Sequence, residues 1–440
     1  MQSFSRAGKR NRVRGMSLSP KALSDGVWSL IGSVGSAIAG LATVKLVASW
    51  VDSASYGEAS LLLGVISLLT GVAVGPLLVI HLRLYFDYAT QGLARWFART
   101  TNVAIAGVSS ATVLLYLIIA SVYWWNGESL YFRYALIATL VLFAQPFLGV
   151  KTNCLEALRR QRALAVVSLS NRALYPLIVL ILLTIQQDAV GALVAGQGLA
   201  AICVLAASAG TTPKRTGSGT SVDVRVEHRK LLNSVLQFGW TLPAGYVAMW
   251  VVTTSDRYLV QHFMTARDVG LYVMNYALWS MPFILLNTWL ELMTRSVIYA
   301  AGANANWRRA WHIVRLRAIV GTALAIFGGS ILFVLSEQIG HILVGSEYWI
   351  SRTMVLILCA AHSCYVTGYA VVPLFLAAKR PRWVFYATVL AGLLGVVCNL
   401  VVIPIWGLVG AAFATLLSYA VWTMTLLIGA RALVSRLERS

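Results

Sequence analysis

Residues 157–162 read ALRRQR, and residues 377–382 read AAKRPR. A basic block that returns after about 220 positions, each time between two apolar runs, decides how the chain is organised. Beyond each block the chain opens another apolar run in nearly the same words, VGALVA at 190–195 and VGAAFA at 409–414. Earlier, Trp28 stands 17 residues before Lys45 and Trp240 stands 17 before Arg257; Gly57 and Gly270 follow at 12 and 13. Apolar segments match one another easily, but charged blocks do not. Two similar halves in tandem is the simplest account.

The composition says where such halves reside. Of 440 residues, 59% are hydrophobic and 11% are charged, with a mean hydropathy of +0.75, whereas soluble domains carry about 25% charged residues. Apolar runs of about 20 residues, enough to cross a hydrocarbon core about 30 Å thick, fall near 26–49, 57–79, 101–123, 131–153, 164–184 and 188–208. A second set falls near 238–264, 269–299, 314–336, 351–373, 383–405 and 408–431. The expected fold is an all-α polytopic membrane protein with about twelve transmembrane helices. They would form two six-helix bundles related by a pseudo-two-fold axis along the membrane normal, as in transporters with parallel repeats.

The expected segments are a basic tail at 1–24, a first bundle at 25–208, a linker at 209–237, a second bundle at 238–431 and a tail at 432–440. Basic residues mark one side. MQSFSRAGKRNRVRGMSLSPK at the start holds six of them, and the even-numbered loops and the C-terminal tail hold most of the rest. Positive charge collects in cytoplasmic loops, so both termini are expected in the cytoplasm. The formal charge of +20 is then a topology signal and an attraction to anionic lipid, with no nucleic acid as partner. Cys154, Cys203, Cys359, Cys364 and Cys398 lie in or beside apolar runs without metal-ligand spacing, so no metal, cofactor or disulfide framework is expected.

Ionisable residues inside spans are costly and face a wet cavity or a partner. Six stand out: Lys45, Arg172, Asp256, Arg257, Glu291 and Arg295. Arg172 lies deepest in its run. Asp256 and Arg257 are adjacent and point about 100° apart on a helix, while Glu291 and Arg295 are spaced to pair.

Three stretches carry a family resemblance: SDRYLVQHFMTARDVGLYVMNYAL (255–278), SASYGEASLLLGVISLL (53–69) and WGLVGAAFATLLSYAV (406–421). They resemble the polysaccharide-unit flippases of the multidrug/oligosaccharidyl-lipid/polysaccharide exporter superfamily, over roughly 25–430. The resemblance implies a flippase for polyprenyl-diphosphate-linked oligosaccharide units in a bacterial inner membrane, serving O-antigen, capsule or exopolysaccharide assembly beside a polymerase and other assembly proteins. Guanidinium suits phosphate. Arg172, Arg257, Lys45 and Arg295 are therefore expected to contact the diphosphate, and Asp256 and Glu291 are the carboxylates available for a coupling ion. The alternatives are an ion-coupled multidrug or cation exporter of the same superfamily, which would need carboxylates in its cavity, and a membrane glycan polymerase or glycosyltransferase. The latter would need a larger outer loop than SEQIGHILVGSEYW (336–349), so no enzyme is expected.

Overall fold

The structure is a computed structural model that describes residues 20–90, 93–127, 129–211 and 241–438. Most of the expected basic tail and linker lies outside the described residues. The first half contains α1 (Pro20–Trp50), α2 (Ser53–Ala73), α3 (Gly75–Thr90), α4 (Ala94–Trp125), α5 (Leu130–Arg133), α6 (Ala135–Ala157), α7 (Gln161–Gln186) and α8 (Ala189–Ala207). The second contains α9 (Thr241–Phe263), α10 (Ala266–Ala303), α11 (Trp307–Val334), α12 (Ser336–Leu343), α13 (Gly345–Tyr348), α14 (Arg352–Tyr369), α15 (Val372–Ala377) and α16 (Arg382–Leu437). No strand occurs among the described residues.

Ten of the described helices are long and apolar enough to cross a membrane. The expected number was twelve. The last of the ten, α16, runs for 56 residues with a kink at Gly407, whose φ of 57° and ψ of −134° only glycine adopts without strain. The 23-residue α9, which carries Asp256 and Arg257, is not among the ten. The expected span 57–79 is broken at Val74, where α2 ends and α3 begins. Side chains such as Val103, Ile118, Ile185, Phe327 and Ile405 stand more than 60% exposed around the outside, an apolar exterior that suits acyl chains.

Local chemistry repeats in the two halves. Asp52 caps α2 by accepting the Ser55 N–H at 2.9 Å, and Thr265 caps α10 through a reciprocal capping box with Asp268. Burial pushes the Asp52 carboxyl up, but the N–H and hydroxyl of Ser55 and the N–H of Ala54 outweigh it and hold its pKa below the ordinary value. This cap therefore stabilises at neutral pH and weakens only as the pH falls through that lowered value.

At the other end of the helices the two basic blocks fold alike. Arg159 and Lys379 both take φ near 50°, at 52° and 55°, and both close a helix with the same pair of bonds. Arg159 and Arg160 donate to Glu156 and Leu155 at 2.9 Å, and Lys379 and Arg380 donate to Leu376 and Phe375 at 3.1 and 2.8 Å. The repeat seen in the sequence is thus a repeated backbone turn.

Packing gives the molecule its asymmetry. At the end bearing the caps Asp52 and Thr265, one apolar core joins both halves and includes Val47, Leu62, Leu142, Tyr272, Trp279 and Tyr348. Toward the basic blocks the cores separate: one lies in the second half around Val371, Phe375 and Leu426, and two lie in the first half around Phe97 and Leu155. The two bundles are joined at one end and part toward the other.

Candidate functional site

Glycines close the joined end. A Cβ on Gly57 would lie 1.8 Å from the carbonyl oxygen of Ala266, and one on Gly270 would lie 1.8 Å from that of Ser53. No side chain fits there, so the two backbones cross in contact. Polar bonds stitch the same seam. Tyr348 donates to the Val51 carbonyl at 2.8 Å and Tyr258 to that of Leu61 at 2.7 Å, while Asn275 braces Tyr348 from within the second half by donating to its carbonyl at 2.6 Å. The Ser53 N–H and hydroxyl both donate to Glu347 Oε1, at 3.1 and 3.2 Å. Lys45 belongs here too. Its ammonium donates to the Ile342 carbonyl at 2.5 Å, which gives it a partner in the seam.

Below the seam lies a cavity of about 970 Å³, walled by α1, α6, α7, α8 and α10, with Leu63 of α2. This is at the upper end of small-molecule sites. It runs from Ser29 and Gln161 near the basic blocks to Thr43 and Tyr175 near the middle of the fold. Small residues on α1 make the room: Gly32, Ser36 and Gly40 line this space, although a Cβ on Gly32 would also meet Ala165 at 3.0 Å. The rest of the wall is rich in hydroxyls and amides, including Gln145, Ser168, Asn171 and Gln197. Arg172 is the one charged residue that lines it among the described residues, and no ion pair or hydrogen bond occupies its guanidinium among them.

The other expected contacts are not gathered here. Arg257 is half-buried and lines no part of this cavity. Arg295 pairs with Glu291 at 3.6 Å, the carboxylate a quarter exposed and the guanidinium half exposed. Asp256 is 4% exposed and lies inside the second bundle. It accepts the Tyr272 hydroxyl at 2.6 Å and the Arg257 N–H at 2.9 Å, and the Tyr272 oxygen lies 3.2 Å from the Thr415 hydroxyl. This network has a measurable worth. Tyr272→Phe leaves a buried carboxylate short of a donor, a change that costs about 1–3 kcal/mol, and the thermal unfolding midpoint of the purified protein is expected to fall. An unchanged midpoint would show that the bond adds no stability.

Two buried cations escaped the sequence reading. Arg317 is 3% exposed and donates to Asn287 Oδ1 at 3.2 Å, while its Nη1 meets no acceptor among the described residues. Lys151 is buried and donates to the Ser208 carbonyl at 2.5 Å. Both sit near predicted span edges, where long side chains ordinarily reach water. Helix-face spacing marks Arg317, because Ala310, Val314, Gly321 and Ala325 on the same stripe of α11 are all buried.

Comparison with known proteins agrees with this architecture. The family described as "Polysaccharide biosynthesis protein" matches residues 96–301. The probable low-salt glycan biosynthesis flippase Agl15 of Haloferax volcanii is 36% identical over 101 residues. That match spans 23% of this chain and 21% of the archaeal protein. Two solved structures share the fold across most of both chains. The lipid II flippase MurJ in an inward closed conformation has a TM-score of 0.72 at 14% identity, over 92% of this chain and 87% of the other. An inward-facing multidrug resistance MATE family transporter of the MOP superfamily has a TM-score of 0.69 at 14% identity, over 96% and 95%.

The chain shares the fold of both transporters, and residues 96–301 match the polysaccharide biosynthesis family. The expected all-helical two-bundle fold is therefore borne out, and the family match covers part of the range over which the resemblance was read. Ten long apolar helices among the described residues, on a fold shared with membrane transporters, make it a multi-pass membrane protein.

Proposed function

We propose that the protein flips a polyprenyl-diphosphate-linked oligosaccharide unit from the cytoplasmic leaflet to the outer leaflet of the plasma membrane, in surface polysaccharide assembly. The observation that carries this reading is the cavity wall: hydroxyls and amides suited to sugars, with Arg172 as the single cation among the described residues. In this reading the basic loops lie in the cytoplasm, and the joined end with its glycine crossing is the closed outer gate. The cavity then takes the sugar head from the cytoplasmic side, and rocking of one bundle against the other would expose it to the far side. Downstream partners are a polymerase and other assembly proteins.

Within the same proposal Asp256, enclosed with Tyr272 and Thr415, is the better-placed carboxylate for a coupling ion, since Glu291 is engaged by Arg295. A multidrug or cation exporter is the second reading. Against it, no carboxylate lines the cavity among the described residues, whereas a cationic cargo calls for one.

The test is made in a strain lacking the protein. Lipid-linked glycans are extracted after intact spheroplasts are treated with a membrane-impermeant sugar-modifying reagent. Complete units accumulating in the protected leaflet are the expected result. Accumulation in the exposed leaflet would assign the protein to a later step, and no accumulation would overturn the glycan cargo.

A further inference from the structure

A second recess of about 690 Å³ opens between α1, α7 and α8 at the end bearing the basic blocks. Its rim holds three guanidiniums in four positions, Arg159, Arg160 and Arg162, beside Trp28. Arg162 lies over the Trp28 ring, 5.2 Å from its centroid, a contact that steers the guanidinium without using its N–H donors. The lining contains no carboxylate among the described residues, and neither Arg159 nor Arg162 has an acidic partner among them. Below the rim the wall turns apolar through Val166, Leu174 and Val204, with Val166 more than half exposed.

Cationic donors above an apolar wall fit one kind of ligand, a molecule with an anionic head and a hydrocarbon chain. Guanidiniums bind phosphate oxygens through paired N–H donors, and the apolar wall offers a bed for the first part of a chain. The position adds a direction. Gln161 and Val167 line both this recess and the larger cavity, so the two spaces adjoin on α7. We infer that the recess formed by Arg159, Arg160, Arg162 and Trp28 binds the phosphate headgroup of a membrane lipid beside the entrance to the central cavity. Arg172, deeper in the fold, is then not the first phosphate contact. The inference goes beyond the proposed function, because headgroup binding here does not require that the cargo be a glycan.

The repeat supplies an internal control. Lys379 and Arg382 occupy the positions of Arg159 and Arg162 in the second basic block and share its backbone turn. The experiment titrates three lipids onto the purified full-length protein in detergent and counts bound molecules by native mass spectrometry. The lipids are a short polyprenyl diphosphate, the polyprenol of the same chain length, and phosphatidylglycerol. The parent protein is expected to bind the diphosphate at least about tenfold more tightly than the polyprenol, as charged hydrogen bonds imply. R159Q/R162Q, and to a smaller degree R162Q alone, lose that preference, while K379Q/R382Q keeps it.

Arginine-dependent binding of the diphosphate in excess of phosphatidylglycerol would identify the carrier lipid as the ligand. Equal arginine-dependent binding of both would identify a general lipid-phosphate site, and either supports the inference. Unchanged binding by R159Q/R162Q, or an equal loss in the two double variants, would overturn it. Leaflet accumulation is measured separately, so failure here and failure of the flippase reading are told apart.

Discussion

Alanine at Gly57 or at Gly270 is expected to hold the two bundles apart at the end where they share a core, and translocation is expected to fall at least about tenfold. The added Cβ would lie 1.8 Å from a backbone carbonyl oxygen in either case. That oxygen belongs to a helix end and has no rotamer by which to move aside, so the helices themselves must separate. Overpacking of a tight contact costs about 1–3 kcal/mol. A bias of 1.4 kcal/mol against the closed arrangement is already about tenfold in its population. An impermeant thiol reagent acting on a cysteine placed at Ser55 is expected to label the alanine variants faster than the parent. Parental rates of both labelling and flipping would show that closure does not depend on this crossing.

The second large effect belongs to Arg172. Arg172→Ala is expected to lower flipping about ten- to a hundredfold, since a hydrogen bond to a charged group contributes about 1.5–3 kcal/mol. Arg172→Glu is expected to lower it further by placing an anion where an anionic head must pass. Arg172→Lys keeps the charge but loses the planar fork, and falls between the parent and the alanine variant. Lys45→Ala and Arg295→Ala are expected to stay within about threefold of the parent, because Lys45 bonds the seam and Arg295 pairs with Glu291. The measurement is transfer of labelled lipid-linked oligosaccharide in proteoliposomes. Comparable losses at all three positions would mean that the cations act together, and parental activity in Arg172→Ala would remove the phosphate role from the cavity.

Much of the fold was legible because its signals are local. Hydropathy marked most crossings, spacing marked the Glu291–Arg295 pair, and the charged blocks at 157–162 and 377–382 marked the repeat before their shared turn was seen. Of the candidate site, the sequence marked one lining residue, Arg172, a lone charge deep in an apolar run. Two kinds of feature were hidden. One is contact across the chain: nothing near Gly57 says that it meets Ala266, and nothing near Lys45 names the Ile342 carbonyl. The other is direction around a helix near its end, which separates a buried Arg317 from an arginine reaching for water. Trp349 is another contact of the first kind: it packs on Trp279, with ring centroids 6.4 Å apart.

The paired turns at Arg159 and Lys379 carry a cost that the chain also accepts at Gln187 and Ala305. A left-handed residue after a helix is most comfortably glycine, and a side chain there is disfavoured by roughly 1 kcal/mol. Gly407, at the bend of α16, shows that glycine is used elsewhere when the backbone demands it. At the two basic turns a long cation stands in its place. Anyone stabilising this protein for purification would reach first for glycine at both turns, and the two choices are unequal: at Lys379 the substitution relieves strain alone, whereas at Arg159 it trades a lipid contact for a sturdier helix end.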